Sequence, residues 1–272
     1  LRPLLLANWW RLYIIGLWVR CGGGPLTLQK EIYKMNNHLN LLDTGNGNTK
    51  IAKTNRGGLY RVASLSLMPD RILCPGSKAA GCFEGCLKSS GRGRFDNVAA
   101  GRQWRSDLWH QDQDQFLDRL TNELGNFAKL CKKTGVKPAA RLNTISDIAF
   151  ERFGIPELFP EIYFYDYTKR AARLNKTPDN YRLMFSYSGR AQYANQVQIA
   201  LGAGVPIAAV FRDQFPAEFL GRPVIDGDKS DLINSKAGPV IIGLKAKGSL
   251  AKADQSGFVI DAERIPALVV AA

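Results

Sequence analysis

The chain reads as an α/β protein, a partial or full β/α barrel with parallel strands. Three observations predict this. Short apolar runs alternate with helical patterns along the sequence. After a long first unit, the runs recur every 20 to 30 residues or so, the spacing of parallel strands joined by crossovers. Almost every run is followed at once by an unusual polar set, as expected when all strands feed one rim of a barrel. An open doubly wound sheet shares the alternation but concentrates its site at one or two crevices.

The first strand is LYRVASLSL (Leu59 to Leu67), and a glycine-bounded cysteine loop follows it. Asp112 to Lys133 is an amphipathic helix, with Phe116, Leu117, Leu120, Leu124, Phe127 and Cys131 at helical spacing. Pro138 to Leu142 forms a second strand, and Ile145 to Phe153 a helical turn. Glu161 to Tyr165 is the third strand, with another helix starting over Thr168 to Leu174. Tyr181 to Ser186 is the fourth strand, and Ala191 to Gly202 a helix ending at glycines. Val205 to Phe211 and Pro239 to Leu244 complete a set of six strands.

At 272 residues and 45% hydrophobic, the chain can bury one large core. We divide it into residues 1–34, an apolar N-terminal extension expected to lie outside the fold, and residues 35–272, a single α/β domain. Leu4 to Val19 is apolar but interrupted by Arg11, short of the roughly 20 residues a spanning helix needs. Its tryptophans suit a membrane interface, yet everything distinctive begins after Met35, so membrane association of this segment is not expected. The net charge of +13 attracts nucleic acid, nucleotides or other anionic substrates without choosing among them. Five cysteines without a regular framework point to a reducing compartment, the cytoplasm.

Three of those cysteines, Cys74, Cys82 and Cys86, share one loop with the spacing C-x7-C-x3-C. Thiolates are soft ligands, and three are one short of a closed four-thiolate site. The fourth position falls to another residue, to water or to a substrate. That is the logic of an open [4Fe-4S] cluster or an incomplete zinc site. Cys21 and Cys131 stand alone and read as structural. His38 and His110 are the only histidines, so a histidine-based hydrolase is unpromising; His110 is near enough in sequence to fold back on the loop as a fourth zinc ligand.

Rim positions supply the other candidates. Asp147, Asp166 and Lys169 suit general acid–base work or helix capping. Arg141, Asn143, Ser186, Lys245 and Lys247 suit binding of a carboxylate or phosphate. Arg141 stands out, because a charge in an apolar strand needs a partner. Ser146, Thr168, Ser188, Arg212 and Asp213 follow strands in the same way. In VIDGDKSD, Asp226, Asp228 and Asp231 alternate around a glycine, a pattern that fits a tight turn better than a cation loop. GRGR (Gly91 to Arg94) is a loop whose arginines can touch a phosphate.

Six strands with a three-cysteine loop after the first resemble, in arrangement, the radical S-adenosylmethionine fold. There three thiolates hold a [4Fe-4S] cluster whose fourth iron is open to the cofactor. That superfamily uses C-x3-C-x2-C and a Gly-Gly-Glu stretch after strand two; this chain has the wider spacing and no obvious such stretch. At motif level the chain resembles the phage family Gene product 88. The residues that carry this are SLSLMPDRILCPGSKAAGC, EGCLKSSGRGR, RLNTISDIAFE, FYDYTKR, VIDGDKSD and IIGLKAKG, within residues 40 to 261. The resemblance implies phage or prophage origin and no particular activity. The sequence thus leads to two expectations: a metal enzyme of radical S-adenosylmethionine type acting on a nucleic acid, nucleotide or other anion, or a zinc-stabilised nucleic-acid-binding protein without turnover.

Overall fold

In the computed structural model of the chain, the residues described are 39–45, 49–89 and 91–262. The expectation for residues 1–34 lies outside them. The described residues from Leu41 to Ala262 form one compact unit.

Its centre is an open, mostly parallel sheet. In chain order the strands are β1 (Leu42–Asp43), β2 (Tyr60–Leu65), β3 (Lys137–Arg141), β4 (Tyr163–Thr168), β5 (Tyr181–Ser186), β6 (Ile207–Phe211), β7 (Glu218–Phe219), β8 (Arg222–Asp226), β9 (Ile241–Lys245) and β10 (Val259–Ile260). Their order across the sheet is β1-β2-β3-β4-β5-β6-β9-β8-β7, with β10 against β6. Only β1 and β7 run antiparallel to their neighbours. The six expected strands are therefore β2, β3, β4, β5, β6 and β9. They lie side by side in chain order, as in a barrel wall, but no pairing joins the two edges of the sheet, so the full barrel is not formed. The cysteine segment follows β2, the first parallel strand but the second strand overall.

The pleat sorts side chains onto two faces. Ala63, Ala140, Phe164, Leu183, Phe185, Ala209 and Phe211 share the larger core. It is covered by α3 (Gln113–Thr134) and α5 (Ala194–Gly202), and a further helix, α2 (Asp96–Gln111), joins the β2–β3 crossover. Helix α3 follows its sequence signal closely. Asp112 caps its start by accepting from Gln115 N at 3.0 Å, and Gly135, at φ 70°, takes the left-handed position that ends it. Val62, Ala139, Tyr165, Met184, Ala208 and Ile242 fill the opposite face, under Ile51 of α1 (Thr49–Arg56) and Leu232 of α6 (Asp231–Asn234). Short helices α4 (Ile155–Leu158) and α7 (Ser249–Lys252) complete the set. The β3–β4 and β4–β5 crossovers hold 3-10 turns at Phe150–Phe153 and Ala171–Arg173, where longer helical patterns were expected.

The sheet carries a seam. Strand β6 pairs with β5 only at Ile207 and Ala208, and its last residues pair instead with β10 through Val210 and Phe211. No helix among the described residues is long and apolar enough to cross a membrane.

Candidate functional site

The segment after β2 is pinned across the C-terminal ends of the parallel strands. Asp147, beyond β3, donates its N–H to the Leu73 carbonyl at 2.7 Å. Ser188, beyond β5, donates its hydroxyl to the Ala80 carbonyl at 2.8 Å, and the Tyr193 hydroxyl donates to Gly76 O at 3.1 Å. Ser256, just before β10, reaches Gly81 O at 3.3 Å. Gly76 is obligatory here: a Cβ added to it would lie 2.6 Å from the Tyr193 hydroxyl and 2.8 Å from Lys169 Cβ. These ties use backbone carbonyls. Within the segment, Cys82 N donates to Ser77 O at 3.1 Å and the Ser77 hydroxyl donates to Cys74 O at 2.7 Å, folding Cys82 back beside Cys74.

Cys74, Cys82 and Cys86 are partly buried. Burial pushes the Cys74 thiol up to about 12, and the nearby Cys82, Asp147 and Cys86 add to the rise. Cys86 is likewise raised by burial, with Cys82 adding to it. Burial also raises Cys82, against the pull of the Lys169 ammonium. The three thiols thus lie within electrostatic range of one another. Among the described residues, however, no three His, Cys, Asp or Glu side chains stand as a preformed metal-ligand group. The chemistry of the donor set fits a thiophilic metal, and closing the sulfurs onto one requires the segment to adjust.

Lys169 is the charged side chain closest in role to the thiols. It is buried, and its ammonium donates to Ser186 O at 3.0 Å and Tyr187 O at 2.8 Å, beside the Phe258 ring. Burial lowers its pKa, while Cys82, Cys74 and Asp147 pull it back upward. No carboxylate among the described ion pairs faces it. Asp147 is committed elsewhere: it accepts from the Thr168 hydroxyl at 2.9 Å and Lys169 N at 3.0 Å, and pairs with Arg173. Arg173 in turn grips Glu151 through two bonds of 2.8 Å. Burial raises the Asp147 carboxyl, and Arg173 and Arg170 oppose it.

Asp166 connects to this group through Tyr181, whose hydroxyl accepts from Arg173 at 3.3 Å. Strand β4 runs on to Thr168, so Asp166 lies within the strand and faces the helix-covered core. It is fully buried and accepts from Asn143 N at 2.8 Å, Asn143 Nδ2 at 3.3 Å and the Tyr181 hydroxyl at 3.0 Å. Asn143 and Ser146 belong to the same turn, where Asn143 Oδ1 accepts from the Ser146 hydroxyl at 2.9 Å. Arg141 points to the other face and finds its partner there in Asp231, which also accepts from Lys50 at 3.0 Å and the Tyr167 hydroxyl at 2.9 Å. Lys245 and Lys247 are exposed and tied to Asp228, by the Lys245 backbone at 3.1 Å and the Lys247 ammonium at 2.8 Å. Lys245 and Lys247 are thus held with Asp228, while Asp147 and Asp166 meet in one buried network through Arg173 and Tyr181. Ser186 contributes its carbonyl to Lys169, not its hydroxyl.

The acids of VIDGDKSD are spent on the turn and on ion pairs, with Asp226 accepting from Asp228 N at 2.9 Å. Arg212 pairs with Asp261 and donates to Asp254 O at 2.8 Å. His110 does fold back toward the cysteine segment, but it meets Asp70 at 2.6 Å. Burial alone would raise the Asp70 carboxyl; the N–H of Leu73, His110 and the N–H of Ile72 outweigh it and hold the pKa low. His38 and Cys21 lie outside the described residues, and Cys131 is buried in the main core. Sequence reasoning missed Tyr193, Arg170, Arg173 and Glu151. Arg173 carried the one usable signal, a charge inside an otherwise core-forming turn.

No curated protein and no solved structure matched the chain. A family description did: Gene product 88, over residues 39–262. That span takes in the cysteine segment, Asp147, Lys169 and every strand described above, and the chain belongs to the Gene product 88 family.

Proposed function

We propose that this chain is a metalloprotein in which Cys74, Cys82 and Cys86 hold a [4Fe-4S] cluster at the C-terminal ends of the parallel strands. We read the open sheet as a partial barrel, and the protein as a radical S-adenosylmethionine-like enzyme acting on an anionic substrate. One observation carries the metal reading: three thiols share one segment pinned over the strand ends, and beyond burial Cys82 and Cys86 add to the rise at Cys74, as Cys82 does at Cys86. Thiolates this near one another repel, and a bound cation is what relieves that repulsion. The enzyme reading has further support from the six parallel strands in chain order, with the thiol segment leaving the first of them.

The chain's own residues have separable tasks. Lys169 supplies a fixed positive charge beside Cys82 and Cys74 and lowers the cost of ionising them. Asp147 is a positioning residue: its carboxylate holds the Lys169 backbone while its N–H anchors the cysteine segment through Leu73. The glycines Gly76 and Gly81 let that segment lie flat against Lys169, Tyr193 and Ser256. When bound, the cluster would supply one-electron reduction and an open iron for S-adenosylmethionine.

The test is anaerobic purification with metal analysis. Brown protein with about four irons per chain and a broad band at about 400 nm is expected. Cys82→Ala removes the band and Cys131→Ala keeps it. S-adenosylmethionine should perturb the electron spin resonance signal of the reduced cluster. Colourless protein with one zinc, unchanged by iron–sulfide reconstitution, overturns the enzyme reading in favour of a zinc-stabilised binding protein.

A further inference from the structure

Beside Cys86 the surface changes character. Between Arg71 and Arg105 the sequence carries seven basic residues and two acidic ones, a large share of the chain's net charge in 35 residues. The structure gathers several of them. Two 3-10 turns, Leu87–Ser89 and Gly91–Arg94, pack on one another and on α2. Gly93 makes the close approach possible: a Cβ there would lie 2.6 Å from Leu87 O, 3.0 Å from Lys88 O and 3.0 Å from the Arg102 guanidinium. Arg102 also feels the charge of Cys86, which places this cluster against the thiol segment.

Its charges are not neutralised within the fold. None of the ion pairs among the described residues includes Lys88, Arg94 or Arg102. Arg102 Nε is buried with no hydrogen-bond partner. Three other arginines are paired: Arg141 with Asp231, Arg173 with Glu151, Arg212 with Asp261. Aromatic rings are interleaved with the charges. Lys88 sits 3.8 Å over the Phe83 ring, and Arg119 stacks at 5.2 Å on Trp104 of α2. Phe95, directly after Arg94, is 51% exposed, an unusual position for a phenylalanine in a chain that buries most of its rings.

Cations that follow a backbone, alternating with an exposed ring that any base can cover, are the recognition chemistry of single strands. A duplex offers phosphates but keeps its base faces stacked inside. We infer that the surface formed by Lys88, Arg94, Phe95 and Arg102 binds single-stranded nucleic acid and delivers it to the thiol centre as substrate. The word substrate rests on the metal reading above; the binding does not.

The experiment is fluorescence anisotropy of the full chain with labelled 20-mers, as single-stranded DNA, single-stranded RNA and duplex DNA, between 50 and 200 mM salt. A single strand should bind about tenfold or more tighter than the duplex. Phe95→Ala should weaken the single strand about tenfold and leave the duplex unchanged, while Phe95→Trp retains affinity. Lys88→Ala with Arg94→Ala should reduce the slope of log K against log salt by about 1.4, at about 0.7 per phosphate contact. Lys236→Ala is the control; it lies over Tyr60 and Tyr163, at the N-terminal ends of the strands. Equal or tighter binding of duplex, indifference to Phe95→Ala, or a Lys236→Ala loss as large as that of the double variant would each overturn the proposal. So would inorganic polyphosphate competing as well as a strand of equal charge. Metal content is measured on the same samples. Binding by iron-free Cys82→Ala protein supports the surface whatever becomes of the metal reading, and an intact cluster with no strand binding refutes the surface alone.

Discussion

Replacing Asp166 by Asn separates a structural carboxylate from a catalytic one. Asp166 is fully buried under the helix-covered face and satisfied by Asn143 and Tyr181. Burial raises its pKa from the ordinary 3.8 to about 6, with Arg141 and the hydrogen bonds opposing the rise. At about 1.4 kcal/mol per unit, that is about 3 kcal/mol of preference for the neutral acid in the folded state. The sign follows from linkage. Between about pH 4 and 6 the folded chain holds a proton that the unfolded chain has released, so stability falls as pH rises through that window. Below pH 4 both states are protonated and the cost vanishes; above pH 6 it is complete. Asn carries no charge, so the Asp166→Asn chain should gain on the parent by about 3 kcal/mol between pH 4 and pH 7. Any fixed loss from altered hydrogen bonds offsets both ends equally. Urea unfolding of both proteins at pH 4, 5, 6 and 7 measures this directly, and taking the difference cancels Asp70, Asp228 and Asp231, whose pKa values are held low and contribute the opposite slope. A difference that stays flat within about 0.5 kcal/mol would refute the burial argument and return Asp166 to the list of catalytic candidates.

Two further outcomes follow from the packing. Gly76→Ala should destabilise the chain by about 1–3 kcal/mol through overlap with Tyr193 and Lys169, and Tyr193→Phe should recover part of that loss in the double variant, read by thermal unfolding. Arg141→Met should cost about 3–5 kcal/mol because Asp231 is left buried with only Lys50 and the Tyr167 hydroxyl, whereas adding Asp231→Leu should restore much of the stability in urea titrations.

The six expected strands were legible because each is a short, largely apolar run covered on both faces, and such runs keep their signal in any fold that covers them. Strands β1, β7 and β10 are two residues long, and β8 contains Pro223; pairs so short leave no periodic trace. Helix α2 was missed because only Ser106, Leu108 and Trp109 are buried along its 16 residues, too few to draw a stripe. The site divides along similar lines. Cysteine spacing is a local property and survived, as did the need of Arg141 for a partner. The partner itself, 90 residues away, is set by topology. Asp166 was misplaced by strand length: three more residues of β4 turn a presumed loop position into a core-facing one.

The seam beside β6 also bears on how the chain is made. The C-terminal half of β6 has β9 on one side, but its other side is completed only by β10, about 49 residues later in the sequence. At translation rates of about 5–20 residues per second, that edge stands open for about 2–10 s during synthesis. Val210 and Phe211 would present unpaired amides to any other nascent strand in that interval. A ribosome-bound chain halted before Val259 should therefore be more prone to aggregate than one carried past Ile260, and the last pairing of the sheet acts as the lock on its assembly.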